Sequence, residues 1–333
     1  MRLLLKGIGF LLSAAFVLAA AVLVWGHVQI RRAHPELPEI EVLLAADRAA
    51  DLPVRLTWIN TASQRMPRAA VLERDLDPDP EAAYTMSHPS FVVEWQDGRI
   101  FLIDLGMDAA EAVAFGRPLE TFAGASPIEP HVSTSARLAE NRARIAGIGF
   151  THLHTDHTGG ILALCRDLGP LGPKRDAIPV FQPHLQLAKV NHTTWPARRQ
   201  LDLATCIERR TLGSEAGMLE VPDFPGLFAI PAGGHTPGST IWVVQLRTFP
   251  GTSEGRYDDI ETWVLTGDVV NHYQGIERGL PKPRLYSLLV VPEDGERLGR
   301  VRRFLKTLSA ERGVRLLVSH DRNQIEATKL TRY

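Results

Sequence analysis

The sequence predicts an α/β fold carried behind a membrane-length apolar segment, on three observations. An uncharged run occupies most of the first twenty-six residues; strand-like and helix-like segments take turns from residue 53 onward; and histidines and aspartates gather where strands stop. The 333 residues are 44% hydrophobic and 23% charged, enough for one large domain or two small ones with a real core. A formal net charge of -1 carries none of the basic excess that nucleic-acid binding normally shows, so no nucleic-acid partner is expected. Cys165 and Cys206 are too few for a disulfide scaffold and lack the paired spacing of a thiolate zinc site. They read as packed thiols, able to form one bridge if the domain is exported.

Gly7 to Gly26 contains no charge and only Ser13 as a polar side chain. At about 1.5 Å per helical residue, such a run spans roughly 30 Å, the thickness of a bilayer core. A secretory signal has a shorter apolar stretch, with Ala19-Ala20-Ala21 as a candidate cleavage site, but the run continues to Trp25, which favours an uncleaved anchor. Residues 1–30 are therefore read as an anchor or signal segment, 31–52 as a linker with one short helix, and 53–333 as one domain. Arg2, Lys6 and the amino terminus, opposed by Arg31 and Arg32 beyond the run, favour the amino end in the cytoplasm and the large domain outside the membrane, or in an exported soluble form if the segment is cleaved.

Val54 to Ile59 alternates as a half-buried strand does, and Ser90 to Leu105 splits at Asp97-Gly98 into two apolar runs. Asp-Gly suits the positive backbone angles of a two-residue turn, so these runs form a hairpin. Helical spacing over Ala109 to Phe115 and Ser135 to Ile145 precedes a strand-like run, Ile145 to Phe150. Ile161, Leu164, Cys165 and Leu168 recur at helical spacing until Gly169-Pro170 stops them. Ile178 to Phe181 is a short strand, and residues 185–220 are a polar, irregular excursion suited to a solvated surface or part of a substrate wall. Strands follow at Leu227 to Ile230, Thr240 to Leu246 and Thr262 to Leu265. A helix from Glu293 to Glu311, a strand from Val314 to Val318 and a short terminal helix close the chain.

The densest chemistry lies in the six residues from His152 to His157, which hold three imidazoles and a carboxylate. In an extended segment His152 and His154 point the same way and can grip one ion together. Asp156 and His157 are adjacent, so they cannot both continue that line, and one outcome is service to a second ion. Three further fragments also sit at strand ends: Gly233-Gly234-His235-Thr236-Pro237-Gly238, Leu265-Thr266-Gly267-Asp268 and Val318-Ser319-His320-Asp321. Each alone is as well explained as a satisfied polar residue. Together they occupy the place where open α/β sheets bind ligands.

These residues resemble the metallo-β-lactamase superfamily of metallohydrolases, whose pattern is His-x-His-x-Asp-His, then His, then Asp, then His. The resemblance covers residues 54 to 325 and includes the strand end Leu102-Ile103-Asp104-Leu105-Gly106. It implies an αββα sandwich, two mixed β-sheets face to face with helices outside. It also implies His152, His154 and His235 on a first metal, Asp156, His157 and His320 on a second, and Asp268 bridging them. Asp156 would in addition be catalytic, shuttling a proton. Imidazoles and carboxylates without thiolate suit two Zn2+, and iron or manganese fits the same donors. The implied reaction is attack by a bridging hydroxide on a carbonyl or phosphoryl centre of a small molecule, with about one residual positive charge stabilising the oxyanion.

Within the superfamily, Asp268 argues against the β-lactamase branch, which as a rule lacks this bridging carboxylate. His154 argues against flavodiiron oxygen reductases, which place Glu there. The nearest branches are lactonases and glyoxalase II type thioester hydrolases, which His235-Thr236-Pro237-Gly238 fits. Lactonases commonly carry Tyr three residues beyond the bridging aspartate. Asn271 stands there in this chain, which makes Asn271, His272 and Tyr273 candidate substrate contacts. The expectation is a membrane-anchored dizinc hydrolase of a lactone, ester or related carbonyl compound. The alternatives are a mononuclear-iron persulfide dioxygenase, which uses fewer metal-bound residues, and a phosphodiesterase or β-lactamase-like hydrolase.

Overall fold

The computed structural model describes residues 2–45, 51–172, 176–213, 216–247 and 260–333; residues 46–50 of the expected linker lie outside these. The strands are β1 (Arg55–Pro67), β2 (Ala83–Glu94), β3 (Ile100–Ile103), β4 (Glu129–Pro130), β5 (Ile145–Gly149) and β6 (Ile178–Pro183). After them come β7 (Ile207–Leu212), β8 (Leu219–Glu220), β9 (Leu227–Pro231), β10 (Thr240–Arg247), β11 (Ile260–Leu265) and β12 (Val314–Leu317). Among the described residues they form a seven-stranded sheet, β4-β1-β2-β3-β5-β6-β7, and a five-stranded sheet, β12-β11-β10-β9-β8. Both are mixed: β3, β5, β6 and β7 run parallel while β1, β2 and β3 alternate, and only the β11 to β12 pair is parallel in the second sheet.

Alternation along each strand explains the layering. Phe91 and Val93 of β2, Phe101 and Ile103 of β3, and Trp242 and Val244 of β10 meet in one cluster between the sheets. Their neighbours point outward: Val92 and Leu102 pack against Leu164 and Leu201, while Ile241 and Val243 pack against Leu298, Val301 and Leu305. Strands buried on both faces carry near-continuous apolar runs, which is why β2, β3 and β10 are so hydrophobic. Each large side chain buried this way contributes roughly 1.5–3 kcal/mol. The result is the expected αββα sandwich.

Several local readings need correction. The hairpin turn is longer than two residues: Trp95 N donates to Arg99 O, and only Gly98 takes a positive φ, 91°. That is a three-residue loop closing on a glycine rather than a primed two-residue turn. The helix expected over Ser135 to Ile145 is α-helical only at Thr134–Leu138 and continues as a 3-10 helix, Ala139–Arg144, because Ile145 is claimed by β5. The described residues of the excursion 185–220 include the helices His184–Ala188 and Trp195–Leu203 and the edge strand β7. Cys165 and Cys206 are joined in a disulfide, not packed as thiols. It ties the helix Ile161–Leu168 to the start of β7, and sequence alone cannot bring those two elements together.

The apolar amino-terminal run is one continuous helix, Arg2–Arg31. Its residues from Phe10 to Ala20 are exposed, whereas Gly26 and Ile30 are buried. The short helix Ile40–Leu44 places Leu43 in the cluster outside the second sheet.

Candidate metal centre

Four chain segments reach the seam between the sheets from strand ends: the loop after β5, the β9–β10 connection, and the loops after β11 and β12. Close approach at this seam depends on glycine. A Cβ at Gly149 would lie 2.1 Å from Trp242 Cζ2, so the last residue of β5 has to be glycine for the sheets to meet just before His152. Gly267, at φ 55°, makes the turn that carries Asp268 back past Thr151. Thr240 N then donates to Thr151 O at 2.7 Å, pinning the two sheets together beside the cluster.

Two groups of side chains converge there. His152 Nε2 and His235 Nε2 come within 3.1 and 3.2 Å of His154 Nδ1. Asp268 Oδ1 lies 3.3 Å from His157 Nε2, and Asp268 Oδ2 lies 2.9 Å from His320 Nε2. Asp156 Oδ2 is 3.4 Å from His320 Nε2 and 3.7 Å from His157 Nε2. Asp268 Oδ2 also reaches the first group, 3.6 Å from His235 Nε2 and 3.9 Å from His152 Nε2. The carboxylate of Asp268 therefore stands between the two groups.

The outward ring nitrogens are all occupied. His157 Nδ1 faces Asp104 Oδ2 at 2.8 Å, His235 Nδ1 faces Glu293 Oε1 at 2.5 Å, and His320 Nδ1 faces the Ser87 carbonyl at 2.8 Å. His154 Nε2 meets Thr193 Oγ1 at 3.0 Å, and His152 Nδ1 meets Thr151 Oγ1 at 3.2 Å. A neutral imidazole that donates through its outward nitrogen turns its lone pair inward, the arrangement metal-binding histidines need. His157 Nε2 and Asp268 Oδ1 are buried with no hydrogen-bond partner among the described residues. Lone pairs left this way, in an all nitrogen and oxygen set, fit divalent cations.

Asp104 fixes the geometry of the first turn. Its carboxylate accepts from Thr151 N and Thr151 Oγ1, each at 2.8 Å, as well as from His157. It does so with a φ of 58°, a strained value for a non-glycine residue that the hydrogen bonds must offset. Glu293 plays the corresponding part behind His235. It also accepts from Lys282 Nζ at 2.8 Å and Ser287 Oγ at 2.5 Å. Burial would raise its carboxyl, but Lys282 and His235 hold it down at about 2.

The two groups differ in proton affinity. Burial and then His157 keep His152 well below its ordinary value, burial and then His235 bring His154 to about 3, and burial and then Lys282 lower His235. In the second group burial is outweighed: Asp104, Asp156 and Asp268 raise His157 well above its ordinary value, and Asp268 raises His320. Burial likewise loses at the carboxylates, where His157 holds Asp156 low and His320 holds Asp268 low.

Residues 83–285 match the family described as the metallo-beta-lactamase superfamily. The chain belongs to that superfamily. The hydroxyacylglutathione hydrolase of Shewanella baltica (strain OS223) is 32% identical over 114 residues, 34% of this chain and 35% of that protein, so the chain spans about a third of that relative. A solved N-acyl homoserine lactone hydrolase, with the product N-hexanoyl-L-homoserine bound at its catalytic metal centre, matches 83% of this chain and 96% of its own. Its TM-score is 0.57 at 16% identity. A probable metal-dependent hydrolase from Staphylococcus aureus matches 82% and 91%, with a TM-score of 0.53 at 14% identity. Identities this low establish a shared fold.

On this metallo-β-lactamase fold the seven sequence-predicted ligand candidates all meet at one site. Asn271 joins them, lining a pocket of about 310 Å³ with His154, Asp156, Asp268 and His320. His272 and Tyr273 do not line it. The His272 ring lies near Asp321 and Tyr84, and Tyr273 packs against the cluster outside the second sheet. Sequence reasoning missed His88, whose Nδ1 lies 3.3 Å from Asp156 Oδ2 and whose two ring nitrogens have no hydrogen-bond partner among the described residues. Burial brings it to about 4, so it is a neutral lone-pair donor grouped with Asp156 and His320. It sits inside the apolar strand β2, where no spacing rule points to it. Glu293, Lys282, Thr193 and Tyr286 were also missed. The last two line the same pocket.

Proposed function

We propose that the chain is a membrane-anchored dinuclear hydrolase that opens a lactone, ester or related carbonyl compound. The observation carrying this reading is the set of five imidazoles whose outward nitrogens are all engaged, leaving inward lone pairs in two groups that share Asp268. His152, His154 and His235 would hold one cation, Asp156, His157 and His320 the other, and Asp268 both. The donors suit zinc. Two such cations, when bound, supply a nucleophile near neutral pH and a Lewis acid for the developing oxyanion.

The remaining work falls to the chain's own residues. Asp156, kept ionised by its imidazole neighbours, accepts the proton shed as the nucleophile forms. Met66, Val71, Met86 and Phe115 wall the pocket, exclude water and receive the apolar part of the substrate. Burial and then Glu293, Asp268 and Asp156 hold the Tyr286 phenol well above its ordinary value, so it enters neutral pH as a hydrogen-bond donor facing the leaving oxygen. The Cys165 to Cys206 disulfide supports a domain outside the cytoplasm, where such bonds persist.

The test is metal analysis of the purified chain together with turnover on lactones, thioesters, phosphodiesters and β-lactams. Two cations per chain and hydrolysis of a lactone or ester are expected, with Tyr286→Phe lowering kcat by about 10- to 100-fold at little cost in KM. One equivalent of iron with sulfur-dependent oxygen uptake would replace this reading by a persulfide dioxygenase.

A further inference from the structure

The amino-terminal helix ends inside the fold. Ile30 is fully buried, His27 Nε2 lies 3.0 Å from the Leu288 carbonyl, and a Cβ on Gly26 would meet Pro292 at 2.9 Å and the His192 ring at 3.1 Å. Two segments thus grip the helix end, residues 288–292 and the loop around His192. Both also border the metal pocket. Val290 and Val291 line it from one side, and Thr193 lines it from the other while bonded to His154.

About twenty helical residues cross a bilayer core, so a helix entering by its first turn leaves near Trp25, one residue before this grip. The rim of the pocket is thereby held at the level where the helix emerges. On that rim the helix Arg284–Leu289 and the residue after it present Leu285, Leu288, Leu289 and Val290 to solvent, 47 to 69% exposed. Four large apolar side chains within six positions form a patch left uncovered among the described residues, beside the end of the amino-terminal helix, where His27 meets the Leu288 carbonyl. Arg31 and Arg32, exposed at the same end, suit anionic headgroups.

Resting on the anchor and hydrolase readings above, we propose that this patch lies on the bilayer surface and that the pocket draws its substrate from the membrane. That substrate is an ester or lactone bearing an apolar chain. The lipid holds the chain at the rim, the apolar wall of Met66, Met86 and Phe115 receives it, and the carbonyl reaches the donor groups at the base.

The test uses the full chain in phosphatidylcholine and phosphatidylglycerol vesicles carrying nitroxide-labelled acyl chains. The native cysteines are paired, so a single added cysteine takes a fluorophore: Leu285→Cys or Leu289→Cys on the patch, Val132→Cys as an exposed control. Quenching severalfold stronger at 285 and 289 than at 132 is expected. Equally weak quenching at all three positions, in protein that floats with the vesicles, overturns the docking and leaves the anchor standing. A chain that does not float overturns both. Protection of the patch probes from aqueous iodide without lipid quenching means a second copy covers the patch, which also overturns it. Metal content and turnover on a water-soluble ester report separately on the hydrolase reading.

Discussion

Replacing Glu293 with Gln disturbs two things at once, and the structure allows them to be separated. The carboxylate contacts His235 Nδ1 at 2.5 Å and Lys282 Nζ at 2.8 Å, with Lys282 only 5% exposed. Glu293→Gln leaves that ammonium buried without its counter-charge, a loss of about 3–5 kcal/mol for a broken buried pair. For a chain of this size that is a fall in Tm of about 4–7 °C. The double variant Glu293→Gln/Lys282→Met removes both charges and should recover most of the loss. Metal affinity should not recover, because the amide is a weaker acceptor for His235, and losing such an outer partner costs about 10- to 100-fold. Thermal unfolding of the metal-free chain in detergent reads the first effect, and chelator competition reads the second. An unchanged Tm in the single variant would refute the buried pair. Wild-type metal affinity in the double variant would refute the orienting role. The sign with pH is also fixed: Glu293 is depressed from 4.5 to about 2, so its contribution is present above 4.5 and disappears as pH falls through about 2.

Three further outcomes are expected. In the metal-free chain His157 and His320 hold protons more tightly than usual and the first group less tightly, so loading the second group should release more protons than loading the first, read by calorimetry in buffers of different ionisation enthalpy. The second cation should also leave first on acidification; equal proton release at both equivalents contradicts this. His88→Asn should weaken the second cation by about tenfold and spare the first. If chelator competition finds the second cation unaffected, His88 is a packing residue alone. Cys165→Ala/Cys206→Ala opens a loop with a separation of 41 residues. Loop-closure entropy puts the cost at about 4 kcal/mol, and an unmoved denaturant midpoint would show that the unfolded chain is restrained by something else.

His152, His235, Asp268 and His320 were legible because each lies within three residues of a strand-like run or next to glycine, and His154, Asp156 and His157 because they crowd into the six positions that begin at His152. The sheets were legible because Phe91, Phe101 and Trp242 alternate with outward-facing residues along their strands. His88 was hidden by the same alternation: inside β2 it occupies what reads as one more core position. Glu293 and Lys282 were hidden by distance, separated from His235 by 58 and 47 residues with nothing local to link them. Residues 185–220 looked irregular because helix Trp195–Leu203 and edge strand β7 present mostly polar faces, and only tertiary packing at Ala197, Leu201 and Leu212 orders them. Of the three candidate substrate contacts after Asp268, Asn271 lines the pocket and His272 and Tyr273 do not. Tyr286 reaches the same pocket from a later helix.

Each donor group is also divided between the sheets: His152, His154, Asp156 and His157 follow β5, while His235, Asp268 and His320 follow strands of the other sheet. Neither sheet owns a complete set. Cations held there would act as rivets through the seam, their binding free energy going into joining two layers that are each incomplete alone. Metal uptake and the meeting of the layers would then be coupled, each favouring the other. A chain starved of metal would retain its sheets and loosen first along the line where they touch.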